Sequence, residues 1–333
     1  MEKLEKIKVG IVGVGAISQV AYLPALSSIE DYSIVAICDE DILRSKGVSL
    51  KYNIKYVFDD YEKMLKDSDT DVIIINTPNY LHFPMIMASL EYGKDVIVEM
   101  PLCFTQKEFE ELKKEVGKKN KIVMPALSGR FRKDAKYIHN IITSGELGPV
   151  VYSKAGWLKS LKTREKSWKD SKIEAGGGVI MILGLNILDY YIWALGKEVD
   201  TVYALLHKKE EVEDSGIVFL RFKDGTFGVF EVSWTILFDR DFTYFNVYCE
   251  RGTAIMNPFK IEKLYQNEIL DLTPSDIQRV PYYDSYNAML RHFVDVYRGR
   301  TKLLYTIDEA NYILKIVNAC YESFDKKCEV KVS

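Results

Sequence analysis

The sequence is poor in the residues that build metal centres. It has four histidines, His82, His139, His207 and His292, spaced far apart and without a His-Glu-x-x-His motif, which argues against a structural or catalytic metal. Its five cysteines, Cys38, Cys103, Cys249, Cys320 and Cys328, are odd in number and include no Cys-x-x-Cys pair. They read as reduced, mostly buried thiols rather than as a disulfide framework or a zinc site. Charge of neither sign dominates: 45 Lys and Arg stand against 48 Asp and Glu, a net of −3, with no sign of a nucleic-acid or membrane partner. No apolar run is expected to approach the ~20 residues that span a bilayer. The opening Met1-Glu2-Lys3-Leu4-Glu5-Lys6 lacks signal-peptide character, so a cytoplasmic location is expected. Internal repeats and low-complexity segments are also missing.

What remains is an ordinary globular composition, 47% hydrophobic and 28% charged, in a chain of 333 residues. That length suggests two domains, expected at 1–125 and 126–333, with the last helices packing back on the first. The first third alternates short apolar strands (Ile7–Val12, Ile34–Cys38, Val72–Asn76, Val96–Glu99, Ile122–Met124) with helical stretches (Asp60–Asp67, Pro84–Tyr92, Thr105–Gly117). This rhythm predicts an α/β, doubly wound parallel sheet covered on both faces. Beyond residue 125, longer strand patterns take over at Val150–Trp157, Val199–Leu206, Gly216–Phe222, Thr226–Trp234 and Phe242–Glu250. Lys223-Asp224-Gly225-Thr226 and Glu250-Arg251-Gly252 read as hairpin turns. The second domain is therefore expected to be α+β with an open, mainly antiparallel sheet. Helices near Lys133–Ser144, Val179–Leu195 and Ser285–Arg298 are expected to cover one face, leaving the other for a subunit interface.

The clearest chemical signal lies in the first 39 residues. A buried strand runs into Gly13-Val14-Gly15-Ala16-Ile17-Ser18, a helical segment follows, and the next strand ends at Asp39. Gly13 permits a tight turn, and Gly15 lets the backbone approach a pyrophosphate. The amides of Ala16 and Ile17 at the start of the helix face the phosphates. Asp39 is placed to accept hydrogen bonds from the adenosine ribose, and Glu40 and Asp41 make a 2′-phosphate unwelcome, favouring NAD over NADP. A doubly wound fold whose crevice has lost its ligand is the competing explanation.

Further motifs appear in order: Asn76-Thr77-Pro78-Asn79-Tyr80-Leu81-His82, Glu99-Met100-Pro101, Gly129-Arg130-Phe131, Gly176-Gly177-Gly178 and Ala319-Cys320-Tyr321-Glu322-Ser323. With the glycine turn, they make the chain resemble the glucose–fructose oxidoreductase, inositol dehydrogenase and rhizopine-catabolism family (Gfo/Idh/MocA) along nearly its whole length. The resemblance implies an N-terminal Rossmann domain, a C-terminal open-sheet domain, and a nicotinamide site in the cleft between them. It also implies a small-molecule substrate and a homodimer or homotetramer formed through the C-terminal sheet. Asn76, Thr77, Pro78, Asn79, His82 and Glu99 fall where the family lines the nicotinamide. His82 serves equally well as a structural residue.

The chain departs from the family at the catalytic positions. Met100 stands where the family carries lysine, and Ile182 and Asn186 where it carries Asp and His on one helix face. Asn186 can orient a hydroxyl but cannot take its proton. Lys169 and Tyr80 are the possible stand-ins, each also readable as a solvated or packing residue. Asp189 reads as structural. Arg130 fits either an acidic substrate group or a structural pair. The basic stretch Lys159, Lys162, Arg164, Lys166, Lys169 and Lys172 reads as a solvated loop or as steering for an anion. The expected function is an NAD-dependent oxidoreductase of sugar-like substrates with an unusual proton relay. Its alternative is a catalytically degenerate dinucleotide-binding sensor or partner subunit.

Overall fold

The computed structural model describes residues 5–160, 166–236, 240–275, 277 and 282–332, the side chains of Lys209 and Tyr282 excepted. The chain divides into two compact units, residues 1–128 with 281–311, and 129–280 with 312–333.

In the first unit, β1 (Ile7–Val12), β2 (Tyr32–Cys38), β3 (Tyr56–Phe58), β4 (Val72–Ile75), β5 (Asp95–Val98) and β6 (Val123–Pro125) form one parallel sheet. Their order is β3-β2-β1-β4-β5-β6. Every residue of β4 and β5 is buried, which is why these strands read as unbroken apolar runs instead of alternating. The order reverses between β1 and β4, and the carboxyl ends of strands at such a point are where α/β sheets bind ligands. Helix Gln106–Lys119 opens with a capping box, Thr105 and Glu108 each bonding the other's backbone amide. Helix Tyr282–Tyr297 packs here, against the 18–28 segment. It belongs to the first unit and not to that of the second sheet, as the sequence pattern had suggested, because an amphipathic face does not name its partner.

In the second unit, β7 (Val150–Ser160), β8 (Val199–Lys209), β9 (Val212–Phe222), β10 (Phe227–Ile236) and β11 (Phe242–Cys249) are joined by four more strands. These are β12 (Gly252–Met256), β13 (Phe259–Tyr265), β14 (Glu268–Asp271) and β15 (Val330–Lys331). Among the described residues the order is β14-β13-β12-β11-β7-β10-β9-β8-β15. All neighbours run antiparallel except β7 and β10. Both predicted hairpins are present, Gly225 turning at φ +86° and Cys249 pairing with Gly252. Helices Lys133–Thr143 and Leu185–Leu195 pack on each other and on this sheet, over a face carrying Phe230, Val232, Phe245 and Val247. The opposite face presents Leu205, Ile217, Phe219 and Phe227 to solvent.

The helical run Lys172–Leu195 is, by length and composition alone, apolar enough to cross a membrane, and 83% of its apolar window is buried in the protein. This corrects the expectation that no such run exists. The glycines at 176–178 and the polar Asn186 and Asp189 interrupt the apolar pattern without ending it.

Candidate functional site

The glycine turn is held by the strands around it. Gly13 has φ +82°, and a Cβ there would lie 2.6 Å from the Asn76 carbonyl oxygen, so packing alone demands glycine. Gly15 differs: a Cβ would meet nothing within 4 Å among the described residues. The protein's own packing does not require that glycine, and the space beside it is free for a ligand. Ala16 is exposed and Ile17 partly so. A π-helical turn, Ser18–Tyr22, follows at once and leads into helix Leu23–Ser28, a departure from α geometry that often accompanies functional sites.

Asp39 follows β2 and is buried. Its Oδ2 accepts from the Val14 amide at 2.8 Å and its Oδ1 from the Asp41 amide at 2.9 Å. The carboxylate thus fixes the glycine turn, a duty the sequence did not reveal. Arg44, which the sequence reading missed, lies 3.3 Å from Asp39 and 3.0 Å from Asp41. Its position three residues after Asp41, the cap of helix Ile42–Tyr52, was the available signal.

Across the switch point, the loop after β4 supplies the facing wall. Asn76 Nδ2 donates to Ser18 Oγ at 2.8 Å, and Ser18 Oγ donates to the Gly13 carbonyl. Asn76 Oδ1 is buried with no hydrogen-bond partner among the described residues. Buried polar atoms are rarely left unpaired, so this one fits a site that a ligand donor completes. Thr77 Oγ1 faces the Met85 sulfur at 3.6 Å. Pro78 leads into the short turn Asn79–Leu81, where Asn79 is buried and Tyr80 is 45% exposed. His82 is fully buried, its Nδ1 2.7 Å from the Pro101 carbonyl and its Nε2 2.9 Å from the Thr77 carbonyl. Burial pulls its pKa down, and with both nitrogens turned to the backbone His82 clamps two loops together.

Glu99 follows β5, next to β4. Its Oε1 accepts from Tyr22 at 2.7 Å and from Tyr286 at 3.2 Å, and the two tyrosine rings meet edge to face. Burial raises the Glu99 carboxyl to about 7, against the two hydroxyl bonds that favour the ionised form. Met100 beside it is 8% exposed and supplies no charge.

The second unit holds Lys169 and Asn186. The triple glycine is a packing device there: a Cβ on Gly177 would overlap the Tyr321 hydroxyl, and one on Gly178 the Glu213 carbonyl. Glu213 accepts from the Gly178 and Ile180 amides and from Tyr321, capping the helix that starts at Ile180. That helix is buried nearly all round, but Ile182 and Asn186 are partly exposed. Asn186 Nδ2 donates to the Ile182 carbonyl at 3.2 Å. Asp189, 1% exposed, holds Arg130, 3% exposed, through Nε and Nη2 at 3.0 and 2.7 Å. Asp189 is therefore structural, and Arg130 is committed to it rather than open to a substrate anion. Lys169 lies in a short capped turn with its ammonium 5.6 Å from the Trp168 ring, and Lys166 pairs with Glu210. Lys162 and Arg164 lie outside the described residues.

Residues 7–127 match the family model described as oxidoreductase family, NAD-binding Rossmann fold, and residues 135–255 match the GFO/IDH/MocA C-terminal domain. D-glucoside 3-dehydrogenase of Escherichia coli is 23% identical over 98% of this chain and 97% of its own. The NADP(+)-dependent scyllo-inositol 2-dehydrogenase of Bacillus subtilis is 25% identical over 63% of this chain and 58% of its own. Among solved structures, levoglucosan dehydrogenase in complex with NADH and L-sorbose superposes with a TM-score of 0.87 at 19% identity, covering 99% of this chain and 100% of the other. GenD2 from gentamicin A biosynthesis, in complex with NAD, gives 0.85 at 21% identity, covering 99% and 97%. At these identities the structural likeness is one of fold, and it agrees with the two family matches: the chain belongs to the Gfo/Idh/MocA family of NAD-binding oxidoreductases.

Proposed function

We propose that the protein oxidises or reduces a sugar-like or related small polar molecule with NAD(H), using a proton relay other than the family's lysine, acid and histidine. The observation that carries the reading is the pairing, at the switch point of the first sheet, of open space beside Gly15 with the unpartnered Asn76 Oδ1. NAD fits these residues. Ala16 and Ile17 would hold its pyrophosphate through their amides, Asp39 its ribose, and the Asn76–Asn79 loop its nicotinamide end. When bound it supplies hydride acceptance and donation. Asp39, Glu40 and Asp41 support NAD over NADP. Arg44 does not reverse that preference, since its guanidinium is already shared between Asp39 and Asp41.

Asn186 would hold a substrate hydroxyl without taking its proton. Sugar and polyol dehydrogenases among the relatives support the substrate class. The absence of an ionisable side chain at Met100, Ile182 and Asn186 is the feature that favours the second reading, a dinucleotide-binding sensor or partner subunit. For the assembly we propose a homo-oligomer through the apolar sheet face of Leu205, Ile217, Phe219 and Phe227, which light scattering would test. Fluorescence titration with NADH and then NADPH tests the cofactor assignment. Saturable NADH binding and weaker NADPH binding are expected, and no binding of either would overturn it.

A further inference from the structure

We propose that Glu99 is the proton-carrying group of this protein, taking up the substrate hydroxyl proton that the family's missing side chains would otherwise handle. The proposal rests on the dehydrogenase reading above. Glu99 stands at the carboxyl end of β5, beside the strand whose loop bears Asn76–Asn79, and so at the edge of the sheet where ligands collect. It is partly buried yet keeps some exposure.

The arrangement of its two oxygens is specific. Tyr22, from the π-helical turn, and Tyr286, from helix Tyr282–Tyr297, both donate to Oε1. Among the described residues Glu99 makes no ion pair and Oε2 has no hydrogen bond. These two tyrosines are the titratable groups that face it, and its chain neighbour Met100 brings no charge. In the neutral acid, Oε1 is the carbonyl oxygen that accepts both hydroxyls and the proton sits on Oε2. In the carboxylate the same two bonds persist. A proton can therefore come and go at Oε2 without rebuilding the network around it. With no cation beside it, burial holds this carboxyl at about 7, where a group exchanges protons most effectively at neutral pH.

In alcohol oxidation, the substrate C–H bond breaks with its electron pair passing as hydride to NAD⁺. The O–H bond breaks with its proton passing to Glu99 Oε2, and the carbonyl forms. The carboxylate becomes a neutral acid and then releases its proton to water. Reduction runs the same exchange backwards.

The experiment combines Glu99→Gln and Tyr286→Phe in the full chain with three readouts. Infrared pH-difference spectra of the cofactor-free protein should show a neutral carboxyl band lost around pH 7 that is missing in Glu99→Gln. A difference signal titrating in the ordinary carboxylate range would overturn the proposal. In Glu99→Gln, NADH fluorescence should show saturable binding retained, with any loss of affinity far smaller than the about 10²–10⁴-fold fall in turnover of a panel of inositols, glucosides and anhydrosugars with NAD⁺. Loss of NADH affinity with an unchanged pH profile would make Glu99 a cofactor anchor and overturn it. Tyr286→Phe removes a bond that favours the ionised form, so the acid limb of the pH–rate profile should move upward, which a purely structural tyrosine would not cause. Wild-type protein that binds NADH but turns over nothing in the panel would bring down the dehydrogenase reading and this proposal with it. Wild-type turnover matched by Glu99→Gln would overturn this proposal alone.

Discussion

The two units treat their glycines alike and their chemical side chains differently. Gly13 in the first and Gly177 and Gly178 in the second are enforced by neighbouring atoms, and any larger residue collides with backbone or with the Tyr321 hydroxyl. Ile182 and Asn186 lie on the partly exposed stripe of an otherwise buried helix, where exchanging one residue type for another costs the fold little. The difference teaches that motifs which resemble the family most closely here are partly packing requirements. Their presence does not by itself certify catalysis. Gly15 is the informative exception, because the fold makes no demand for it.

The largest effects should come from the enforced positions. Gly13→Ala and Gly178→Ala are each expected to destabilise their unit by about 3 kcal/mol or more, through overpacking against backbone and, at Gly13, a disallowed φ. Thermal or denaturant unfolding would read this. Stability close to wild type in both would break the comparison. Arg130→Ala should be comparable, at about 3–5 kcal/mol, because it leaves Asp189 buried without its bidentate partner.

Gly15→Val sharpens the contrast from the other side. Unfolding should change by about 0.5 kcal/mol or less, while NADH binding is lost, since the side chain enters space that only a ligand would occupy. The double change Ile182→Asp with Asn186→His should likewise leave the fold nearly intact. Turnover gained in that variant would mean that an ordinary family site lies beneath these substitutions.

The last effect is pH-dependent. The Glu99 carboxyl is raised from its ordinary 4.5 to about 7, so the folded state binds the proton more tightly than the unfolded chain. The stability this contributes is full below about pH 4.5 and is lost as pH rises through 7. Glu99→Gln cannot ionise. Its melting temperature relative to wild type should therefore climb between pH 5 and 8, and a flat difference would show that burial does not perturb this carboxyl.

Much of the first unit was legible because its strands are buried on both faces and its turns need glycine. β3, three partly buried residues, was too short to stand out from a loop. β13 and β14 escaped notice because their charged, exposed residues carry little apolar alternation. Asp39 was found by its distance from the glycine turn, but its hold on the Val14 amide is a long-range bond. The partners of Glu99 were out of reach, since Tyr22 and Tyr286 lie 77 and 187 residues away along the chain.

The sequence by itself determined what local physics writes directly: strand periodicity, the glycine turn with its terminal Asp39, and the absence of ionisable side chains at Met100, Ile182 and Asn186. Only the tertiary structure decided which unit helix Tyr282–Tyr297 joins, that Arg130 is spent on Asp189, that His82 is turned to backbone, and that Glu99 sits between two tyrosines with one oxygen open. Those outcomes depend on burial and on contacts between distant segments. A residue's type announces what it can do, and its surroundings decide whether it holds a proton, a partner or a ligand.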